Sequence, residues 1–263
     1  MSMDKSVEEK LTRREKLYEK KQLMKKKRSE EYEVLEEVFD RPTLMTLYHL
    51  LNRGMIKSMG GVVKSGKEAR IYHGTDPEGR SLAIKIYLTV SAGFRKGRLI
   101  YIQGDPRFKS FKQDTRSFVY SWTQKEYKNL QRAYESGIRV PKPIKVKKNV
   151  LVMEFIGDEN IPAPLLKEEF PKDPEDMYLR LLKCVKDLYR KAGLVHGDLS
   201  EYNVMNRKEK PVIFDMSQAV LLEHPMAEQF LRRDITNLNH FFRKLGVNVK
   251  KNEEIYKWVT QDG

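Results

Sequence analysis

A single cysteine, Cys184, is all the thiol this 263-residue chain has, so no internal disulfide can hold it together. No window approaches the ~18–20 apolar residues of a membrane span, which excludes a spanning helix. No apolar run stands near the start either, and this predicts that a secretory signal is absent. There are no internal repeats, which sets aside solenoids and arrays. Acidic residues are outnumbered, 37 against 51 Lys and Arg, giving a net charge of +14 and a pI near 9.6. The expectation is a soluble cytoplasmic protein, not a membrane one, with polyanionic partners such as nucleic acid or a nucleotide. The length is enough to bury a sizeable core, as one large domain or two lobes.

What is present divides into three parts. Residues 1–41 are nearly all charge, without Gly or Pro, and predict a solvated helix or arm. Residues 42–156 begin with a short amphipathic helix carrying Leu44, Leu47, Tyr48 and Leu51, with Gly54 as its C-cap. Strand signals follow in "GGVVKSGKEARIYHG" and "SLAIKIYL", joined by the turn "TDPEG". The basic stretch 89–117 has little periodicity and predicts a mobile functional loop. Helical period returns from Phe118 to Ser136, and "VPKPIKVKKNVLVMEFIG" gives two more strands around an exposed basic turn. In residues 157–263 a Pro-rich linker leads to a helix near Met177–Lys191, two short strands (Val204–Met205, Val212–Phe214) and a helix around Met226–Leu245. The order is strand-rich first and helix-rich second.

Four places carry polar residues that packing alone does not require. In "SLAIKIYL", Ala83, Lys85 and Tyr87 share one strand face, so Lys85 is flanked by apolar neighbours and needs an anion. Glu126 interrupts the helical stripe Val119, Trp122, Leu130, Ala133. A carboxylate there costs several kcal/mol unless a cation meets it, and Lys85 is the obvious one. The turn "KSGKEA" lets backbone N–H groups approach a phosphate, although it matches neither standard glycine-rich phosphate loop. In "LVHGDLSEYNVM" Asp198 and Asn203 lie five apart beside an apolar run, and Asp215 closes the next run in "VIFDMSQ". Two short strands returning side by side would bring Asp198, Asn203 and Asp215 to one end of a small sheet. Oxygen ligands of this kind suit Mg²⁺, with one or two carboxylates completed by substrate phosphates. The remaining Asp can orient or deprotonate an attacking hydroxyl.

Turn, strand lysine, helix glutamate, linker, Asp with Asn, then a second Asp: this is the order of the protein kinases. Gly197 stands where H-R-D has Arg, "DMS" where D-F-G would be, and no A-P-E follows. Between Asp215 and Gly263 there is little room for an ordinary activation segment and peptide-docking subdomain. The runs "SGKEARIYHG", "AIKIY", "WTQKEYKNLQRA", "VPKPI", "HGDLSEYNVM", "FDMSQAV" and "LRRDITNLNHFF" together resemble the RIO-type atypical serine/threonine kinases, over roughly Thr43 to Leu245. The first branch fits best, because the charged arm is too poor in apolar residues for a winged-helix domain, and the length looks archaeal.

The resemblance implies an α+β fold: a two-lobed kinase with an antiparallel sheet and one main helix in the first lobe, and a reduced, mostly helical second lobe. It implies ATP and Mg²⁺ as cofactors, with Mn²⁺ as a substitute. Lys85 would hold the phosphates and pair with Glu126, and Ser65, Gly66, Lys67, Glu68 and Ala69 would cover the triphosphate. Ala83 would line the site, with Met153, Glu154 and Ile156 at the adenine. Asp198 would be the base, and Asn203 and Asp215 would bind the metal. Autophosphorylation is expected on a serine of 89–117, with Ser110 and Ser117 as candidates. Implied partners are protein serine or threonine acceptors, pre-small-ribosomal-subunit particles and ribosomal RNA. Two alternatives stay open: an assembly ATPase or scaffold with little kinase activity, and a small-molecule phosphotransferase. Sequence leaves the oligomeric state undetermined.

Overall fold

Alternation and turn chemistry account for the first half of the fold. The computed structural model describes residues 39–89, 94–108 and 114–261. The charged arm thus lies almost entirely outside the described residues. Chain contacts separate residues up to His49 from Leu50–Gly263, and the sheet, the later helices and the candidate site all belong to the second unit. Helix α1, Arg41–Asn52, ends as expected: the Gly54 N–H bonds to the Leu51 carbonyl and Gly54 takes the left-handed conformation, φ 68°.

Five antiparallel strands follow: β1 Ser58–Ser65, β2 Ala69–Thr75, β3 Ser81–Tyr87, β4 Pro143–Lys147 and β5 Val150–Glu154. They form one sheet in the order β1-β2-β3-β5-β4. The predicted "TDPEG" turn joins β2 to β3, with the Asp76 carboxylate accepting the Arg80 N–H at 2.8 Å. Central β3 pairs on both sides, Lys85 lying opposite Ile71 on β2 and opposite Leu151 on β5. Every residue from Leu82 to Tyr87 is buried. A lysine in that strand keeps its head almost wholly out of bulk water.

Helix α2, Thr115–Glu135, packs against β4 and β5. It starts three residues before the expected Phe118, because the Asp114 side chain caps the Ser117 N–H at 2.8 Å. Its buried face carries Phe118, Val119, Trp122, Leu130 and Ala133, as the periodicity required.

The expectation of a loosely packed loop over 89–117 is corrected by the structure for 94–108. That segment forms two 3₁₀ turns, Leu99–Tyr101 and Pro106–Phe108, and buries Phe94, Tyr101 and Ile102. Phe94 meets Trp122 edge-on at 6.3 Å, while Tyr101 stacks on Phe230 at 4.9 Å. Burying large aromatic surface fixes the segment although its apolar residues follow no repeat. Ser110 lies outside the described residues, and Ser117 sits in the first turn of α2.

Past the hairpin of β6 (Gly157–Asp158) and β7 (Ile161–Pro162), the second half is built on three helices: α3 Pro174–Arg190, α4 Ala227–Lys244 and α5 Asn252–Thr260. The last was not anticipated from the sequence. Four short strands lie among them: β8 Leu194–Val195, β9 Val204–Asn206, β10 Pro211–Ile213 and β11 Val220–Leu221. Antiparallel β9–β10 is the expected return, with Ile213 opposite Val204, and β8 pairs with β11. One continuous apolar core runs from Ala83 and Met153 of the sheet to Leu181 of α3 and Leu238 of α4. The architecture is α+β and kinase-like. Among the described residues no helix is long and apolar enough to cross a membrane.

Candidate active site

Lys85 finds the partner its position demanded. Its Nζ donates to Glu126 Oε1 at 2.7 Å and lies 3.1 Å from Asp215 Oδ1. Tyr87, two residues along the same strand face, donates its hydroxyl to Glu126 Oε2 at 2.6 Å. The Glu126 carboxylate is fully buried and is satisfied by these two donors. Burial would drag the Lys85 ammonium down, but the carboxylates of Asp215 and Glu126 overcome it and hold the group well above the usual lysine range. Burial likewise would raise Asp215; Lys85 and the Ser217 hydroxyl, 2.7 Å away, keep it ionised and well below the usual range. Glu126 is pushed up by burial, with Lys85 pulling the other way.

The catalytic-loop candidate explains the departure from H-R-D. Gly197 has φ 77°, and a Cβ there would meet the Gln218 carbonyl at 3.1 Å. An arginine would be strained in backbone and short of room. Helix α4 supplies the anchoring instead. The Asp234 carboxylate, deep in the core, accepts the N–H groups of Gly197 and Leu199, both at 2.8 Å. Burial pushes its carboxyl up to about 7, against the pull of those two donors. Arg233 donates to the Gly197 carbonyl and, at 2.9 Å, to the Tyr101 hydroxyl. Asn237 donates to the Leu199 carbonyl at 3.2 Å. Burial pushes His196 down to about 4, so it is neutral, with Nδ1 facing the Asp198 N–H at 3.3 Å.

Asp198, Asn203 and Asp215 converge as the spacing required. Asn203 Nδ2 donates to the Asp198 carbonyl at 2.8 Å and to its carboxylate at 3.2 Å. The Phe214 N–H bonds to the Asn203 carbonyl at 3.1 Å, which places Asp215 at the same end of the β9–β10 pair. Gln218, absent from the expected set, donates to Asp198 Oδ2 at 2.9 Å. Burial, together with the neighbouring Asp215 charge, raises the Asp198 carboxyl above the ordinary aspartate value. Among the described residues no three His, Cys, Asp or Glu side chains could hold a metal by themselves. A carboxylate beside the amide oxygen of Asn203 fits instead a Mg²⁺ whose coordination is completed by phosphates and water.

A cleft of about 200 Å³ is lined by Phe214, the chain neighbour of Asp215, by Ala83, two residues before Lys85, and by Val63, Met153 and Ile156 among others. Of the residues expected at the nucleotide, Ala83, Met153, Glu154 and Ile156 border it, whereas Ser65–Ala69, Lys85, Glu126, Asn203 and Asp215 are not among its lining residues. The Glu154 side chain is not available to a ligand, because Arg139 holds it with two bonds of 2.7 Å, and its N–H is bonded to the Lys142 carbonyl at 2.8 Å, which leaves its backbone carbonyl. Ser65, Gly66 and Lys67 form an exposed turn at the rim, closed by the Gly66 N–H on the Ala69 carbonyl at 3.0 Å. Glu68 is tied to Arg98, whose guanidinium lies over the Phe94 ring at 4.3 Å, so the segment 94–108 props the turn from behind.

Comparison with known proteins identifies the family. The family model described as the RIO domain matches residues 70–255. The RIO-type serine/threonine-protein kinase Rio1 of Haloferax volcanii is 40% identical, over 91% of this chain and 81% of its own length. That of Methanocaldococcus jannaschii is also 40% identical, over 91% and 82%. The human serine/threonine-protein kinase RIO1 is 40% identical over 86% of this chain, which spans only 40% of that longer protein. Among solved structures, the Rio2 kinase–ADP/Mg²⁺–phosphoaspartate complex from Chaetomium thermophilum shares the fold, with a TM-score of 0.63 and 24% identity over 84% of this chain and 67% of that one. The chain belongs to the RIO family and is an atypical serine/threonine protein kinase.

Proposed function

We propose that the cleft binds ATP with Mg²⁺ and that Asp198 directs a serine or threonine hydroxyl, the protein's own included, at the γ-phosphorus. The observation that carries this is the meeting of Lys85, Glu126 and Asp215 within 3.1 Å beside the linked pair Asp198–Asn203. Lys85 neutralises phosphate charge and Glu126 fixes where its ammonium sits. The backbone of Ser65–Ala69 covers the triphosphate, and the backbone of Glu154 and Ile156 meets the base. Asp198 takes the hydroxyl proton as the new P–O bond forms and the bond to ADP breaks; its raised carboxyl makes it a better base than an ordinary aspartate. Asn203 and Asp215 would hold the metal, Mg²⁺ or Mn²⁺, which supplies charge neutralisation at the phosphates.

Asp198→Ala is expected to abolish phosphoryl transfer while ADP still binds in a calorimetric titration. Asp215→Ala is expected to weaken metal-dependent binding as well. Wild-type autophosphorylation in Asp198→Ala would refute the assignment.

A second activity is ATP hydrolysis. What favours it is the phosphoaspartate named in the related Rio2 structure. In that case an Asp215 oxygen displaces ADP from the γ-phosphorus, and water then releases phosphate. Label from [γ-³²P]ATP that hydroxylamine removes would mark this acyl phosphate, whereas phosphoserine would resist. The family resemblance and the +14 charge support a cytoplasmic role on ribosomal RNA, in maturation of the small ribosomal subunit. Single-turnover assays with isolated pre-ribosomal particles would separate transfer to protein from release of phosphate.

A further inference from the structure

Helix α2 buries three polar side chains within little more than one turn: Lys125, Glu126 and Asn129. Glu126 serves Lys85. Lys125 and Asn129, four residues apart and so on a common face, reach a different target, the turn Met216–Ala219 that follows Asp215. Lys125 Nζ donates to the carbonyls of Ser217, at 2.9 Å, and Ala219. Asn129 Nδ2 donates to the carbonyls of Met216 and Ala219, both at 2.8 Å. Asn129 Oδ1 in turn accepts from Arg107 at 2.8 Å, and Arg107 is gripped by Asp105. Burial drives the Lys125 amine well below the usual lysine range, and a wholly buried amine that must spend its hydrogens on two carbonyls is a group apolar packing would not select.

The turn it holds carries the second ends of both candidate carboxylates. Ser217 bonds to Asp215 and Gln218 to Asp198. Asp215 itself has φ 57°, a conformation that its surroundings must impose. The turn's own closing bond, from the Ala219 N–H to the Met216 carbonyl, is long at 3.3 Å. Its placement therefore comes from α2.

We propose that Lys125 and Asn129 are positioning residues for the metal side of the site. They fix the Met216–Ala219 turn to the same helix that carries Glu126, so one rigid element sets Lys85 on one side and Asp215 and Asp198 on the other. The proposal rests on the assignment of Asp215 to the metal. Its test is calorimetric titration of the full chain with ADP, with and without Mg²⁺, alongside thermal melts. Lys125→Met is expected to bind ADP without metal as the wild type does. The tightening produced by Mg²⁺ should shrink roughly tenfold or more, the scale of the two hydrogen bonds lost. Leu130→Ala, a core truncation on the same helix, should lower the melting temperature yet keep the tightening. Lys125→Met that melts early but keeps the full wild-type tightening would overturn the proposal and leave the metal assignment standing. A wild type with no Mg²⁺ effect would overturn both. If Lys125→Met does not fold, Asn129→Ala carries the same test with the same two outcomes.

Discussion

Replacing Lys85 by Met separates what the buried ion pair does for stability from what it does for chemistry. In that variant Glu126, fully buried, keeps only the Tyr87 hydroxyl at 2.6 Å, whereas Asp215 is partly open to water. Leaving one member of a buried pair uncompensated costs about 3–5 kcal/mol, or roughly 6–20 °C in melting temperature for a chain of this size. Glu126→Gln should cost less, about 1.5–3 kcal/mol, because Lys85 retains Asp215 at 3.1 Å. The double variant, with a neutral amide beside Tyr87, should regain most of the Lys85→Met loss. Every variant lacking Lys85 should nevertheless be inactive.

The pH dependence follows in sign. Burial already raises Glu126, and without Lys85 only the Tyr87 hydroxyl pulls it back. A carboxyl whose folded pKa exceeds its unfolded one adds no penalty at pH below the unfolded value. Between the two pKa values the penalty grows by about 1.4 kcal/mol per pH unit, and above the folded value it is complete. Lys85→Met should therefore lie closer to the wild type at pH 5 than at pH 8. Melts of the four proteins at both pH values are the assay. A loss equal at the two pH values, or a double variant as unstable as the sum of the singles, would refute the reasoning.

Gly197→Ala should cost about 1–2 kcal/mol for a side chain at φ 77° and slow turnover by displacing Asp198; unchanged melting and kcat would contradict the strain. Asp234→Asn turns one acceptor toward a backbone N–H into a donor, so a loss of about 1–3 kcal/mol with a fall in kcat is expected in melts and radiolabel assays. Wild-type values for both would detach α4 from the loop. Cys184 is pushed up to about 11 by burial, so alkylation of the native protein at pH 8 should be far slower than in denaturant. Comparable rates would show an accessible thiolate.

Much of the site was legible because expensive residues announce themselves. Lys85 on a strand with two apolar faces and Glu126 within an apolar stripe each required the other, and they meet at 2.7 Å. Asp198, Asn203 and Asp215 followed from the return of two short strands. The residues that sequence reasoning missed act through backbone groups or at long range. Asp234, Lys125 and Asn129 bond to N–H or carbonyl groups at least 35 positions away, which leaves no local spacing to detect. A signal did exist for each, since a charged or amide side chain at a helical position bounded by core residues needs a partner. The segment 94–108 escaped for the opposite reason. Its order comes from Phe94 and Tyr101 seated among Phe118, Trp122 and Phe230, and neither helical nor strand period records that. Helix α5 is only nine residues long and buries just Ile255 and Val259, too weak a stripe to recognise.

The proposed convergence of five side chains on one triphosphate and its ion is open to a direct look. Crystals grown with a non-hydrolysable ATP analogue and Mn²⁺ would locate the metal by its anomalous scattering. The peak should fall between the Asn203 amide oxygen and the Asp215 carboxylate, with the phosphates reaching Lys85 beneath the Ser65–Ala69 turn. A peak away from Asp215, or phosphates out of reach of Lys85, would contradict the assignment.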